Sequence, residues 1–127
     1  MKRIMKYLLI CVLSILLTTC SSTVSIDAAS NGETVEITPG SSLKLSLKGN
    51  PTTGYLWQVI EIDDSILKPV GESKYKSDSN LAGSAGEFTF LFSAQKPGQT
   101  TLKLGYLRPW ESGVEPLEIF EVNIMVK

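Results

Sequence analysis

Three short segments of this chain carry residue types suited to gripping another surface: Asn50-Pro51-Thr52-Thr53-Gly54, Gly83-Ser84-Ala85-Gly86 and Arg108-Pro109-Trp110. In the first, Pro51 fixes its own φ and pushes Asn50 toward an extended backbone, while Thr52 and Thr53 are stiff at χ1. Gly54 ends the segment with a backbone freedom that a side chain would forbid. The same residue types also build ordinary turns, so the segment by itself fixes no role. In the third segment a tryptophan stands beside a proline and an arginine, and Trp and Arg are enriched at binding hot spots. The second, preceded by Leu81 and Ala82, is made of small residues that let a partner's backbone come close, or that simply link two strands.

The chemistry these segments suggest is recognition, because the groups for catalysis are missing. The chain has no histidine, hence neither the usual general base near neutral pH nor the commonest metal ligand. Its two cysteines are Cys11 and Cys20, both ahead of the patterned part of the chain and unsuited to act as a positioned nucleophile. No Ser-x-x-Lys pair lies in a helical pattern. Asp63-Asp64 reads as a solvated acidic pair rather than a calcium site. A binder that needs no metal or cofactor is expected, not an enzyme.

The N-terminus has a different purpose. Lys2, Arg3 and Lys6 precede an almost unbroken apolar run from Tyr7 to Leu17, the build of a secretory signal peptide covering residues 1–19. The run ends at Leu17-Thr18-Thr19-Cys20, which resembles a bacterial lipobox, with Thr19 departing from the usual Gly, Ala or Ser. That resemblance implies lipidation of Cys20, a membrane anchor and an extracytoplasmic location. Without residues 1–19, nine basic face thirteen acidic residues, a net charge of −4. With no basic run, nucleic acid is not expected as a partner. Residues 20–32, rich in small polar side chains, read as a flexible tether.

From residue 33 to 127 the pattern is alternation. Leu43, Leu45 and Leu47 alternate with Lys44, Ser46 and Lys48; Phe88, Phe90 and Phe92 with Thr89, Leu91 and Ser93. Leu102, Leu104 and Tyr106 follow, then Phe120, Val122, Ile124 and Val126. The run from Tyr55 to Ile62 is apolar on both faces, which suits a central strand bearing Trp57 in the core. Shorter strands are expected at 34–37 and 67–70. Seven or eight such strands make one all-β domain, an immunoglobulin-like antiparallel β-sandwich. Alternate connections of that sandwich share one end, and the three recognition segments occupy such connections. About 95 residues can hold together without a disulfide.

In combination the segments resemble the chagasin family of cysteine-protease inhibitors. That family carries an Asn-Pro-Thr-Thr-Gly motif followed by an aromatic (here Tyr55), a glycine-rich central loop and an Arg-Pro-Trp loop, in this order. Ala85 stands where the family's Gly-x-Gly-Gly pattern has its third residue, so a positive φ there would cost about 1 kcal/mol. The resemblance implies a monomeric, reversible inhibitor of papain-like proteases. Asn50, Pro51, Thr52, Thr53 and Gly54 would enter the cleft, with Thr52 nearest the catalytic cysteine. Arg108, Pro109 and Trp110 would flank one side, and Leu81, Ala82, Gly83, Ser84, Ala85 and Gly86 the other. The competing expectation is a surface adhesion or ligand-binding module using the same end of the sandwich.

Overall fold

The structure, a computed structural model, describes residues 21–127. The signal-peptide reading of residues 1–19 and the lipidation of Cys20 lie outside these residues. Among the described residues nine strands form two facing sheets. They are β1 (Thr23–Ile26), β2 (Thr34–Ile37), β3 (Ser42–Gly49), β4 (Leu56–Glu61), β5 (Leu67–Pro69), β6 (Lys74–Ser77), β7 (Gly86–Ala94), β8 (Gly98–Leu107) and β9 (Glu118–Val126). One sheet runs β1-β3-β7-β5, with β6 pairing the other half of the same edge of β7; the second runs β2-β9-β8-β4.

The alternation in the sequence becomes the core. Leu43, Leu45 and Leu47 point inward from β3, and Phe88, Phe90 and Phe92 from β7. Leu102, Leu104 and Tyr106 meet them from β8, with Phe120, Val122, Ile124 and Val126 from β9. Because strand side chains alternate faces, one apolar residue in two is enough to close a layer against the opposite sheet. Trp57 is buried in the same cluster.

Three expectations need correction. The sandwich is not purely antiparallel: β1 runs parallel to β3 and β2 parallel to β9. Both are four-residue edge strands, too short for sequence periodicity to reveal their direction. The described part of the expected 20–32 tether, residues 21–32, is not free either. Thr23–Ile26 form β1, Ile26 is buried, and the Gly32 amide donates to the Glu121 carbonyl at 2.7 Å. A segment of small polar residues is ordered here by backbone pairing and one apolar anchor. Finally, β4 is an edge strand, paired with β8 alone. Its second apolar face is not buried under another layer: Ile60 is 46% exposed. A register shift between Val59 and Glu61 interrupts its pairing with β8, the kind of irregularity that protects an edge from adding strands.

Candidate functional site

The three recognition segments fall in the β3–β4, β6–β7 and β8–β9 connections and touch one another at one end of the sandwich. The middle position belongs to the Asn50 loop. Asn50 caps a single 3₁₀ turn over Pro51–Thr53, with Pro at the first position, and Gly54 ends it with φ 87°. Its side-chain Oδ1 accepts from the Thr52 amide at 3.1 Å and the Thr52 hydroxyl at 2.6 Å. Its carbonyl accepts from the Thr53 hydroxyl at 2.6 Å and the Thr53 amide at 3.2 Å. Side-chain caps of this kind explain why Asn, Pro and Thr stand in this order. The result is a rigid apex on which Thr52 and Thr53 are exposed.

On one side the Asn50 Nδ2 donates to the Gly83 carbonyl at 3.0 Å, joining the apex to the β6–β7 loop. That loop is tied internally: the Ser77 and Ser84 hydroxyls lie 2.7 Å apart, both donate to the Ser79 carbonyl, and the Asp78 amide donates to Ala85 at 3.0 Å. Among the described residues only glycines take positive φ, Gly83 with 77° among them. Ala85 therefore fits without the strain that a left-handed conformation would bring. Leu81 stands out at 78% exposure.

On the other side Arg108 bridges to the apex. Its Nε–H donates to the Thr53 carbonyl at 3.2 Å, Nη1 pairs with Glu111 at 3.2 Å, and its guanidinium lies 4.5 Å above the Tyr55 ring. The edge of the Trp110 indole covers Gly54 so closely that a Cβ there would collide with it. Trp110 is nonetheless 69% exposed and does not fold back into the core. An exposed indole beside a polar, rigid apex, with Leu81 beyond the opposite side, is a surface arranged to be covered by a partner.

The three loops that carry the sequence-selected residues are thus joined through Asn50–Gly83, Thr53–Arg108 and Gly54–Trp110, but the residues' duties divide. Thr52, Thr53, Leu81, Ala82, Gly83, Ala85, Pro109 and Trp110 are exposed. Asn50, Pro51, Gly54, Ser84 and Arg108 are half-buried and largely occupied with holding the loops. Gly86 is a correction: it is buried at the start of β7 against Tyr75 and the Lys76 carbonyl, where a Cβ has no room, so it positions the loop and offers no contact. Sequence reasoning passed over Tyr106 as a packing residue. Its hydroxyl accepts the Asn50 amide at 2.8 Å. A tyrosine at an inward position near the end of a strand was the available signal, since a buried phenol needs a partner. Tyr55, marked only as the aromatic after the first motif, lies under the Arg108 guanidinium, and Glu111, which pairs with Arg108, was unmarked.

Comparison with known proteins agrees with the fold. Residues 36–124 match the Chagasin family peptidase inhibitor I42. Amoebiasin-2 of Entamoeba histolytica is 32% identical over 97 residues, 74% of this chain and 77% of that protein. Chagasin of Trypanosoma cruzi is 29% identical over 100 residues, covering 76% and 91%. The crystal structure of the cysteine protease inhibitor EhICP2 from Entamoeba histolytica superposes with a TM-score of 0.75 at 27% identity, over 84% of this chain and 97% of that one.

Proposed function

The chain belongs to the chagasin family of peptidase inhibitors, and from that premise we propose that it is a reversible inhibitor of papain-like cysteine proteases whose three-loop end fills the active-site cleft. The observation that carries this reading is the loop cluster itself: a hydrogen-bonded apex at Thr52–Thr53, with exposed Trp110 on one flank and exposed Leu81 toward the other. The apex enters the cleft, Thr52 closest to the catalytic thiol. Trp110 packs on apolar surface beside it, and the β6–β7 loop covers the opposite wall. Arg108 serves mainly to lock the apex and only secondarily as a contact.

Two physical features suit the role. The loops are bonded to one another before any partner arrives, so little conformational freedom is lost on docking, and preorganisation of this kind favours tight binding. The main chain of Pro51–Thr53 is a 3₁₀ turn and not an extended peptide, so it occupies the site without aligning a carbonyl for attack. An interface of ordinary size, roughly 1,600 Å² in total, is expected. Protection of the catalytic cysteine tests the placement: with the chain bound, a small alkylating reagent should fail to modify that thiol. Alkylation at the uninhibited rate under saturating inhibitor would overturn it.

The location follows from the N-terminal sequence. Lys2, Arg3 and Lys6, the apolar run and Cys20 support export and acylation of Cys20, and the folded unit acts as a monomer outside the cytoplasm. β1 begins three residues after Cys20 and pairs in parallel with the Ser42 end of β3, whereas the Asn50 loop leaves the far end. With about 3.3 Å per residue along β3, the two ends lie roughly 23 Å apart. An acylated Cys20 would therefore leave the loops facing away from the lipid surface. Mass spectrometry of the mature N-terminus decides the matter, an unmodified Cys20 refuting it.

A further inference from the structure

Every hydrogen bond internal to the inhibitory turn begins or ends at Asn50 or Pro51. Asn50 Oδ1 holds Thr52, the Asn50 carbonyl holds Thr53, and the Pro51 carbonyl accepts the Gly54 amide at 3.0 Å. A turn so closed on itself keeps its shape but not its place. Its place depends on what ties it to the rest of the molecule: Arg108 holds the Thr53 carbonyl from the β8–β9 loop, and the other ties are made at Asn50. The Asn50–Gly83 bond links it only to another loop. The tie to the core is Tyr106: the phenol oxygen accepts the Asn50 amide at 2.8 Å and donates to the Asn50 carbonyl at 3.4 Å. One hydroxyl thus engages both backbone groups of the residue that organises the loop, using a lone pair and its proton.

The tyrosine is itself well held. It is 8% exposed, stacks on Trp57 with centroids 5.0 Å apart and packs against Tyr55 at 5.3 Å. The Trp57 indole in turn donates to the Lys48 carbonyl at 3.0 Å, two residues before Asn50. Tyr106 sits on β8 in one sheet, whereas Asn50 follows β3 of the other. The bond therefore spans the sandwich where the loop crosses between sheets.

We propose that Tyr106 is a positioning residue for inhibition, its hydroxyl clamping Asn50 to the core and so fixing the apex at the depth and angle that fill the cleft without being cut. This rests on the inhibitory reading above. A loop released from the clamp keeps its internal turn but rocks against its neighbours. It then samples backbone orientations in which a peptide bond near Thr52 can be attacked.

The test is Tyr106→Phe, which keeps the ring packing and removes both hydrogen bonds. The inhibition constant against a papain-like protease should rise about tenfold, because docking must then reorder a loop that the clamp held in place. The melting temperature should fall by only a few degrees for the lost bonds, and on long incubation the variant should be cut between Asn50 and Gly54 while the parent stays whole. An inhibition constant within twofold of the parent, with no cleavage, overturns the proposal. Amide hydrogen exchange of the parent provides a second measurement should the variant fail to fold. The Asn50 amide should exchange as slowly as amides of β8, and exchange as fast as an open loop overturns the clamp. A parent that inhibits no papain-like protease would sink the inhibitory reading instead, with exchange at Asn50 still deciding the clamp.

Discussion

On the proposed reading, single residues divide into those that touch the protease and those that make the touching possible, and substitution should separate the two. Trp110 is mostly exposed. Trp110→Ala should therefore weaken inhibition by about 2 kcal/mol or more, the scale of a hot-spot aromatic, while thermal melting stays near the parent's. A collapse of the fold would make Trp110 a core residue. Gly54 stands at φ 87° beneath the indole, so Gly54→Ala brings both left-handed strain and a clash with Trp110. It should lower stability by about 1 kcal/mol, read from denaturant midpoints, and weaken inhibition as the indole is displaced. The three loop segments were legible in the sequence through their combination and order, since Asn, Pro, Thr and Gly taken alone also build ordinary turns. Tyr106 and Glu111 were not, because a strand tyrosine reads as packing until its hydroxyl is seen to reach the Asn50 backbone, and a loop glutamate shows no partner until Arg108 is seen beside it.

At the scale of elements, the N-terminal strand is the sharpest departure from expectation. Val24 packs against the core and Ile26 lies within it, so Ile26→Ala should destabilise the domain by about 2 kcal/mol, measurable by urea unfolding. A change within a free tether would alter nothing. The long strands were readable because each repeats an inward apolar residue three or four times: Leu43, Leu45 and Leu47, or Phe120 through Val126. β1 and β6 were not readable. β1 buries only Ile26, and β6 (Lys74–Ser77) is exposed throughout, so both exist by backbone pairing to a neighbour. Tyr55 to Ile62 misled for the opposite reason. Apolar residues on both faces suggested a strand between two others, but β4 is an edge whose outer face remains partly open.

Across the whole molecule, charge has little part in the design, and the pH response should show it. With no histidine in the chain, no side chain has an ordinary titration between pH 5 and 8. The unfolding midpoint should be flat over that range, and any change in inhibition there should follow the protease. Asp63 is the exception at low pH. Its carboxyl is held below the usual range by the Ser65 hydroxyl first and the Ser65 amide second, both bonded to Oδ1. Because the folded value lies below the unfolded one, its stabilising contribution is complete above the ordinary aspartate pKa of about 3.9. It disappears as pH falls through the folded value. Unfolding followed between pH 7 and 2 should show this loss, and Asp63→Asn should reduce it.

On the proposed reading the division of labour in the fold is simple: two sheets supply rigidity, Asn50 and Tyr106 transmit it to the apex, and Thr52, Leu81 and Trp110 are the residues that would meet the protease. The most direct measurement is a titration of an active papain-like protease with the purified chain at fixed substrate. Residual activity should fall to zero near equimolar inhibitor at nanomolar concentrations, with the chain recovered uncut. Full protease activity at micromolar chain, or recovery of activity as the Asn50–Gly54 loop is cleaved, would contradict the account.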